Sequence, residues 1–441
     1  MAAKASIDRV AGAIRRFRRG EGGNVTLTFG LLLIPLMAAV GAAVDYGRAN
    51  NYRSQLMAAA DAASVGAVAK SSPAVAAAIT MQNDGNIPSG VADALAIFNA
   101  QLLTKTNWWS ALAPQATVTK SNGVVSSTVQ FTAQVPAMFM KLFGKTSIPI
   151  SGVSKASNRV PLYIDFYLLL DNTPSMGVGA TTGDIAKMVN NTSDKCAFAC
   201  HDLSTTPNDY YQKAKNLGVT TRIDVVRSAT QQMMDTAAAT ETFSNQFRAA
   251  IYTFGTSCTA PGLVTVKSLT SSLSGAKSAA ASIDLMTIPY QGYNNDQCTN
   301  FDDVLTDLNA KIPTPGNGTS ATSPQKFLFF VSDGVNDANN PTSCSKPLHG
   351  GTRCQEPIDT SVCTKIKNRD IKIAVLYTTY LPLPTNAWYN TWIGPWQTQI
   401  ATNMQNCASP GLYFEVGPNQ GISEALNALF KKALAEAHFT Q

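Results

Sequence analysis

Residues 25–44 form an unbroken run without a charged side chain, and the polarity changes sharply on either side of it. At a rise of 1.5 Å per residue, such a run spans the ~30 Å hydrocarbon core of a bilayer and predicts one transmembrane helix, with Pro35 removing a backbone hydrogen bond mid-span. Residues 45–70 are alanine-rich and lack proline, so the helix continues as a stalk until residues 71–73 end it. Residues 91–103 have helical spacing. Residues 116–119 and 124–135 alternate β-branched positions around Ser121-Asn122-Gly123, a hairpin signal, and residues 147–153 predict a further strand.

From Pro161 the rhythm changes. Apolar strands are predicted at 162–170, 247–254, 326–331, 371–377 and 412–416, with helices at 222–238, 301–312 and 422–435. Strands alternating with helices imply an α/β domain with a doubly wound, mostly parallel sheet. Residues 177–221 and 335–369 break that rhythm, are rich in Asn, Thr, Gly and Cys, and are expected as long loops tied down by disulfides. Four segments follow: a basic tail (1–23), a transmembrane helix and stalk (24–70), a small α+β module (71–158) and the α/β domain (159–441).

The chain has 441 residues, 45% apolar and only 14% charged, which excludes whole-chain disorder and a coiled-coil rod. Its formal charge of +6 sits mostly at one end. Lys4, Arg9, Arg15, Arg16, Arg18 and Arg19 oppose only Asp8 and Glu21, so residues 24–441 carry a net charge of just +2. No basic stripe remains to track phosphates, and nucleic acid is excluded as a partner. Basic residues before an apolar run stay in the cytoplasm, which predicts an exported C-terminal part. A cleaved signal peptide shows the same order of features, but its apolar core is usually ~7 to 15 residues. An uncleaved anchor is the reading here. All eight cysteines lie beyond the anchor, as expected for disulfides in an oxidising compartment, and their connectivity is open.

The first strand of the α/β domain ends in Asp171-Asn172-Thr173-Pro174-Ser175, and a later one ends in Ser332-Asp333-Gly334. Open α/β sheets bind ligands at the carboxyl ends of their strands, so both segments are expected in one crevice. Asp171, Thr173 and Ser175 place an oxygen at every second residue, on one side of an extended turn. Carboxylates, hydroxyls and water are hard ligands suited to an octahedral divalent ion, chiefly Mg²⁺. The bland alternative is that Asp171 and Asp333 cap loops or helices.

These segments resemble the von Willebrand factor type A domain and its metal-ion-dependent adhesion site. That motif is Asp-x-Ser-x-Ser after the first strand, a Thr on a later loop and an Asp after the fourth strand. The resemblance implies Asp171, Thr173 (replacing the first Ser), Ser175, Thr299 in QCTNFDDVL and Asp333 as ligands of Mg²⁺, or of Mn²⁺ or Ca²⁺, with a partner's carboxylate completing the coordination. A second resemblance covers the anchor. Gly23-Asn24-Val25, Pro35, residues 44–49 (VDYGRA) and residues 55–63 (QLMAAADAA) are similar to the N-terminal segment of TadE/G-like proteins of Flp pilus assembly. Prepilin-like relatives carry Glu five positions after the cleavage Gly. Here that position is Thr28, so processing after Gly23 is not expected.

Together the resemblances imply a single-pass protein of the bacterial inner membrane, its N-terminus cytoplasmic and its C-terminal domain periplasmic. Its expected partners are other pilus-assembly components. A structural anchor with a vestigial metal site and a Mg²⁺-dependent hydrolase remain as alternatives; the latter needs a general base, and no His lies near the motif in sequence. Cys196 and Cys200 have three residues between them, not the two of haem attachment. His349 and His438 are isolated, and Trp108, Trp109, Trp388, Trp392 and Trp396 are expected in packing or at a bilayer interface.

Overall fold

The computed structural model describes residues 23–81, 83–103, 109–205, 209–293, 297–380, 382, 387–417 and 421–439. Residues 1–22 of the expected basic tail, and Trp108, lie outside the described residues. The chain divides into two compact units between Val160 and Pro161.

In the first unit a single helix, α1 (Gly23–Ala67), runs through Pro35 without a break. Its N-terminal part is long and apolar enough to cross a membrane and is almost entirely exposed. Its C-terminal part is not a free stalk as the sequence suggested. Leu56, Ala59, Ala60, Ala63 and Ala67 are buried against an antiparallel sheet. That sheet is ordered β1 (Gly85–Asn86), β2 (Ser110–Ser121), β3 (Val124–Pro136), β4 (Ser147–Arg159).

Alanine is the reason for this packing: with no side chain beyond Cβ, the helix backbone comes close enough for Ser64 Oγ to lie 2.8 Å from Ser154 Oγ. Helices α2 (Pro73–Thr80) and α3 (Pro88–Ala100) cover the rest, burying Phe98 against Phe131. Pro73, expected only as a stop, also starts α2, because its missing N–H costs nothing in a first helical turn. The β2–β3 hairpin turns at Asn122 and Gly123, with φ of 48° and 72°, as the Asn-Gly signal requires.

The second unit is built on a six-stranded sheet. Its strands in chain order are β5 (Ile164–Leu170), β6 (Phe247–Gly255), β7 (Pro261–Thr270), β9 (Gln325–Ser332), β12 (Lys372–Thr378) and β13 (Tyr413–Val416). Between them lie the short strands β8 (Cys298–Thr299), β10 (Val335–Asn339) and β11 (Arg353–Pro357), which form a separate antiparallel sheet. The spatial order is β7-β6-β5-β9-β12-β13, parallel except for β7 at the edge. In order of appearance this reads 3-2-1-4-5-6, the doubly wound arrangement, with its topological switch point between β5 and β9.

Every residue of β5 is buried, and its side chains alternate between two cores. Phe166 and Leu168 face α4 (Arg222–Thr240), α5 (Leu273–Ala280) and α9 (Ile422–Phe439). Tyr167 and Leu169 face α6 (Phe301–Lys311), α7 (Thr360–Lys367) and α8 (Gln397–Cys407). At the amino end of the strands, buried Asp165 takes two hydrogen bonds from Arg248, at 2.7 and 2.8 Å, and one from Lys326, joining β5, β6 and β9.

The two expected loops are corrected. Residues 177–221 contain helices Thr182–Asn191 and Tyr210–Asn216, and residues 335–369 contain β10, β11 and α7. Their polar composition hid them: Thr182–Asn191 buries only Met188 and depends on its Thr181 cap. Three disulfides are described, Cys258–Cys298, Cys344–Cys354 and Cys363–Cys407, the last joining α7 to α8. Cys196 and Cys200 lie outside these three.

Candidate metal centre

The register pairs Leu170 of β5 with Val331 of β9, so the two motifs leave the sheet side by side at the switch point. The Asp171 N–H donates to Val331 O at 2.9 Å, which fixes where the motif begins. Asp171 Oδ1 accepts from the Thr173 N–H at 2.9 Å and from Thr173 Oγ1 at 2.7 Å. Ser175 Oγ lies 3.3 Å from Thr173 Oγ1. The expected row of oxygens therefore exists, with Asp171 and Thr173 fully buried and Ser175 reaching the surface.

Asn172 faces the other way and locks the turn. Its amide donates to Gly255 O at 2.7 Å and Asp284 O at 3.0 Å, and its Oδ1 accepts from the Phe254 N–H at 3.0 Å. Across the switch point, Asp333 is also fully buried. Its Oδ1 accepts from the Val335 N–H at 3.3 Å, while its Oδ2 accepts no hydrogen bond. Gly334 follows with φ of 76°, and a Cβ there would lie 2.8 Å from both Ile400 and Met404. Only glycine meets both conditions.

Sequence reading missed Arg222, the first residue of α4 after the Thr221 cap. It is buried, donates to Thr379 O at 2.7 Å and places Nη1 3.9 Å from Asp333 Oδ2. Burial pushes the Asp171 carboxyl up to about 6, with the Asp333 charge adding to the effect. Asp333 is raised by burial as well, against the opposing pull of Arg222 and the Ser175 hydroxyl. Two ionised carboxylates against one guanidinium leave a net negative charge in a dry setting, which favours a cation.

Thr299 comes from another part of the chain. It sits in β8, opposite Asp337 of β10, directly before the Asn300 cap of α6, and the Cys258–Cys298 disulfide ties it to the segment after β6. Thr299 and Ser175 line one cleft of about 260 Å³, whose walls include Tyr380, Trp388 and Tyr389. His349, isolated in sequence, packs edge-on to Trp388 and Trp392, with ring centroids 4.3 and 4.6 Å away. Cys344, Cys354 and Glu356 also lie within reach of one another, but the two sulfurs are joined to each other and have no thiolate to give a metal.

The strand order, with β7 antiparallel at the edge, is a doubly wound α/β fold with two buried carboxylates at its switch point, and an apolar N-terminal helix precedes it. Residues 23–70, the apolar helix and its continuation, match the Tad family model, Flp pilus-assembly TadE/G-like. Among solved structures, the vWF domain of the type V pili tip protein Mfa5 from Porphyromonas gingivalis aligns at a TM-score of 0.38 and 9% identity, over 63% of this chain and 97% of that one. Proximal thread matrix protein 1 from the mussel byssus, with a zinc-occupied MIDAS motif, aligns at 0.33 and 12%, over 62% of this chain and 46% of that one. The pilus adhesin SpaC from Lactobacillus rhamnosus GG aligns at 0.39 and 12%, over 77% and 36%. Identities this low carry no function across. No curated protein sequence matches the chain significantly.

Proposed function

We propose that this is a membrane-anchored interaction protein of Flp/Tad pilus assembly or adherence, with its second unit exported to the periplasm. In this reading Asp171, Thr173, Ser175, Thr299 and Asp333 hold Mg²⁺ (or Mn²⁺ or Ca²⁺), directly or through water, and a carboxylate from a protein partner completes the coordination. The observation that carries it is Asp333 Oδ2, a fully buried carboxylate oxygen without a hydrogen bond at the switch point. Such an atom is costly unless a cation faces it, and Arg222 Nη1, 3.9 Å away, is one positive charge against the two buried carboxylates of Asp171 and Asp333, which leaves negative charge for a divalent ion to balance. The donor set is all oxygen, which fits a hard divalent ion. The bound ion would offer its open position as a Lewis acid to an incoming carboxylate. The chain's own residues do the rest: Asn172 fixes the turn, Gly334 lets β9 end with Asp333 inward, and Thr299 and Ser175 present hydroxyls at the cleft.

Arg222 favours a second reading. A guanidinium near Asp333 partly replaces a metal's charge, as expected of a structural anchor whose site is vestigial. Among the described residues lining the cleft none is a histidine, so a hydrolytic role gains no general base there. Calorimetric titration of the protein with MgCl₂ separates the two readings. Heat for the wild type that disappears in Asp171→Ala, with the fold retained, supports the metal site. No heat for either at millimolar metal means a vestigial one.

A further inference from the structure

Between β3 and β4 the chain makes a short 3-10 turn, Met140–Phe143. Around it Met138, Phe139, Leu142 and Phe143 are 60, 41, 83 and 58% exposed, with Lys141 and Lys145 interspersed. Clustered large apolar side chains on an exposed turn mark a contact surface.

The turn is fastened to α1. Buried Asp45 accepts from the Met138 N–H at 3.0 Å (Oδ1) and 3.1 Å (Oδ2), from the Phe139 N–H at 2.9 Å and from the Met140 N–H at 2.8 Å. Phe139 also lies on Gly41: a Cβ at Gly41 would fall 2.6 Å from Phe139 Cβ. Gly41 is inside the uncharged run and Asp45 is the first charge after it. At 1.5 Å per residue, the Phe139 contact is about 5 Å below the last apolar residue, Val44. Wherever α1 crosses a bilayer, this turn is held at the bilayer's edge.

We propose that residues 138–145 enter the interface of the membrane that α1 spans, as a second membrane contact. Met138, Phe139, Leu142 and Phe143 reach the boundary between headgroups and acyl chains, while Lys141 and Lys145 extend to anionic headgroups. The occupant is a lipid surface rather than a protein because the patch is continuous with the exposed apolar face of α1 and its only charges are cationic. Asp45 is then a positioning residue: a carboxylate this close to hydrocarbon is tolerated because three backbone N–H groups satisfy it, and in return it holds the turn against the helix. Two contacts instead of one stop α1 from swivelling and seat the first unit on the membrane.

The inference rests on α1 being a membrane span, and the test separates the two. Full-length protein in vesicles of phosphatidylethanolamine and phosphatidylglycerol would carry photoreactive benzoylphenylalanine in place of Leu33, Leu142, Phe143 or Val153, one site per sample. Val153 is an exposed control on β4, about 20 Å along the strand from the turn. Lipid adducts are expected from positions 33, 142 and 143 and not from 153. Adducts at 33 without any at 142 and 143 overturn the interfacial turn and leave the anchor standing. Protein–protein adducts at 142 or 143 in place of lipid assign the patch to a second copy and overturn it too. No lipid adduct at any position removes both.

Discussion

Ser332 Oγ donates a 2.6 Å hydrogen bond to Asp171 Oδ2 and accepts one from the Gly334 N–H at 3.0 Å, so the last residue of β9 aims the first residue of the proposed metal site. With Thr173 holding the other carboxylate oxygen, Asp171 has no freedom to rotate. A bond to the ionised form also opposes the effect of burial on Asp171. Ser332→Ala is therefore expected to weaken Mg²⁺ binding by roughly 10-fold or more, the usual cost of removing a group that orients a ligand. Titration at neutral pH checks it, and unchanged affinity would show that Asp171 is not a ligand.

Acid should act oppositely on the metal-free and metal-bound protein. Asp171 has a folded pKa of about 6 against an ordinary 3.8. Between those values the metal-free folded state holds a proton that the unfolded state has released. Its stability is accordingly full below pH 3.8 for this group and falls as pH rises through about 6, by on the order of 1 to 3 kcal/mol. A bound cation reverses the sign, because proton and metal compete for one carboxylate, so affinity rises with pH over the same window. Thermal melts with and without Mg²⁺ should differ little near pH 5 and clearly near pH 7.5. An equal metal-induced shift at both would rule out a titrating ligand in this range.

Much of this site was legible because its parts carry one-dimensional signals. The apolar run of β5 followed by Asp-x-Thr-x-Ser, and that of β9 followed by Ser-Asp-Gly, give both position and chemistry. Thr299 was singled out only through the family resemblance and the helix that starts after it, and the structure puts it on the cleft that Ser175 also lines. Arg222 was not, because a lone arginine at the start of an amphipathic helix reads as a solvated charge. It is buried where the start of α4 meets Asp333, just after β9, and Thr379, just after β12. Asn172 and Ser332 were hidden likewise: a positioning side chain has no spacing rule, only neighbours. The alanine-rich stretch of α1 misled in the other direction. Small residues look like a featureless stalk until the sheet they allow to approach is known.

The Cys258–Cys298 disulfide holds Thr299 to the segment after β6, whereas Cys363–Cys407 joins two helices on one face of the sheet. Each closes a loop of similar length, so each is expected to stabilise the fold by about 2 to 4 kcal/mol. Their effects on the site should differ. Cys258→Ser with Cys298→Ser is expected to lower metal or partner affinity several-fold beyond the stability loss, and Cys363→Ser with Cys407→Ser to lower stability alone. Denaturant melts paired with metal titrations separate the two. Equal affinity losses would place Thr299 outside the site.

Arg222 offers the sharpest test between a working and a vestigial centre. Its guanidinium is fixed by Thr379 O and stands 3.9 Å from Asp333 Oδ2, while burial opposes its charge. Without metal, it is the cation that the electrostatics at Asp333 set against the buried carboxylate. Arg222→Gln keeps a donor for Thr379 O but removes the charge, so the metal-free protein is expected to lose about 1 to 3 kcal/mol. If a divalent ion binds, that ion compensates. Metal should then stabilise the variant more than the wild type, since an ion bound only by the folded state adds RT ln(1 + [L]/Kd) and the freed negative charge raises the affinity. If Arg222 has replaced the metal for good, the variant melts low and Mg²⁺ does not restore it. Melting temperatures of both proteins across a MgCl₂ series decide the matter.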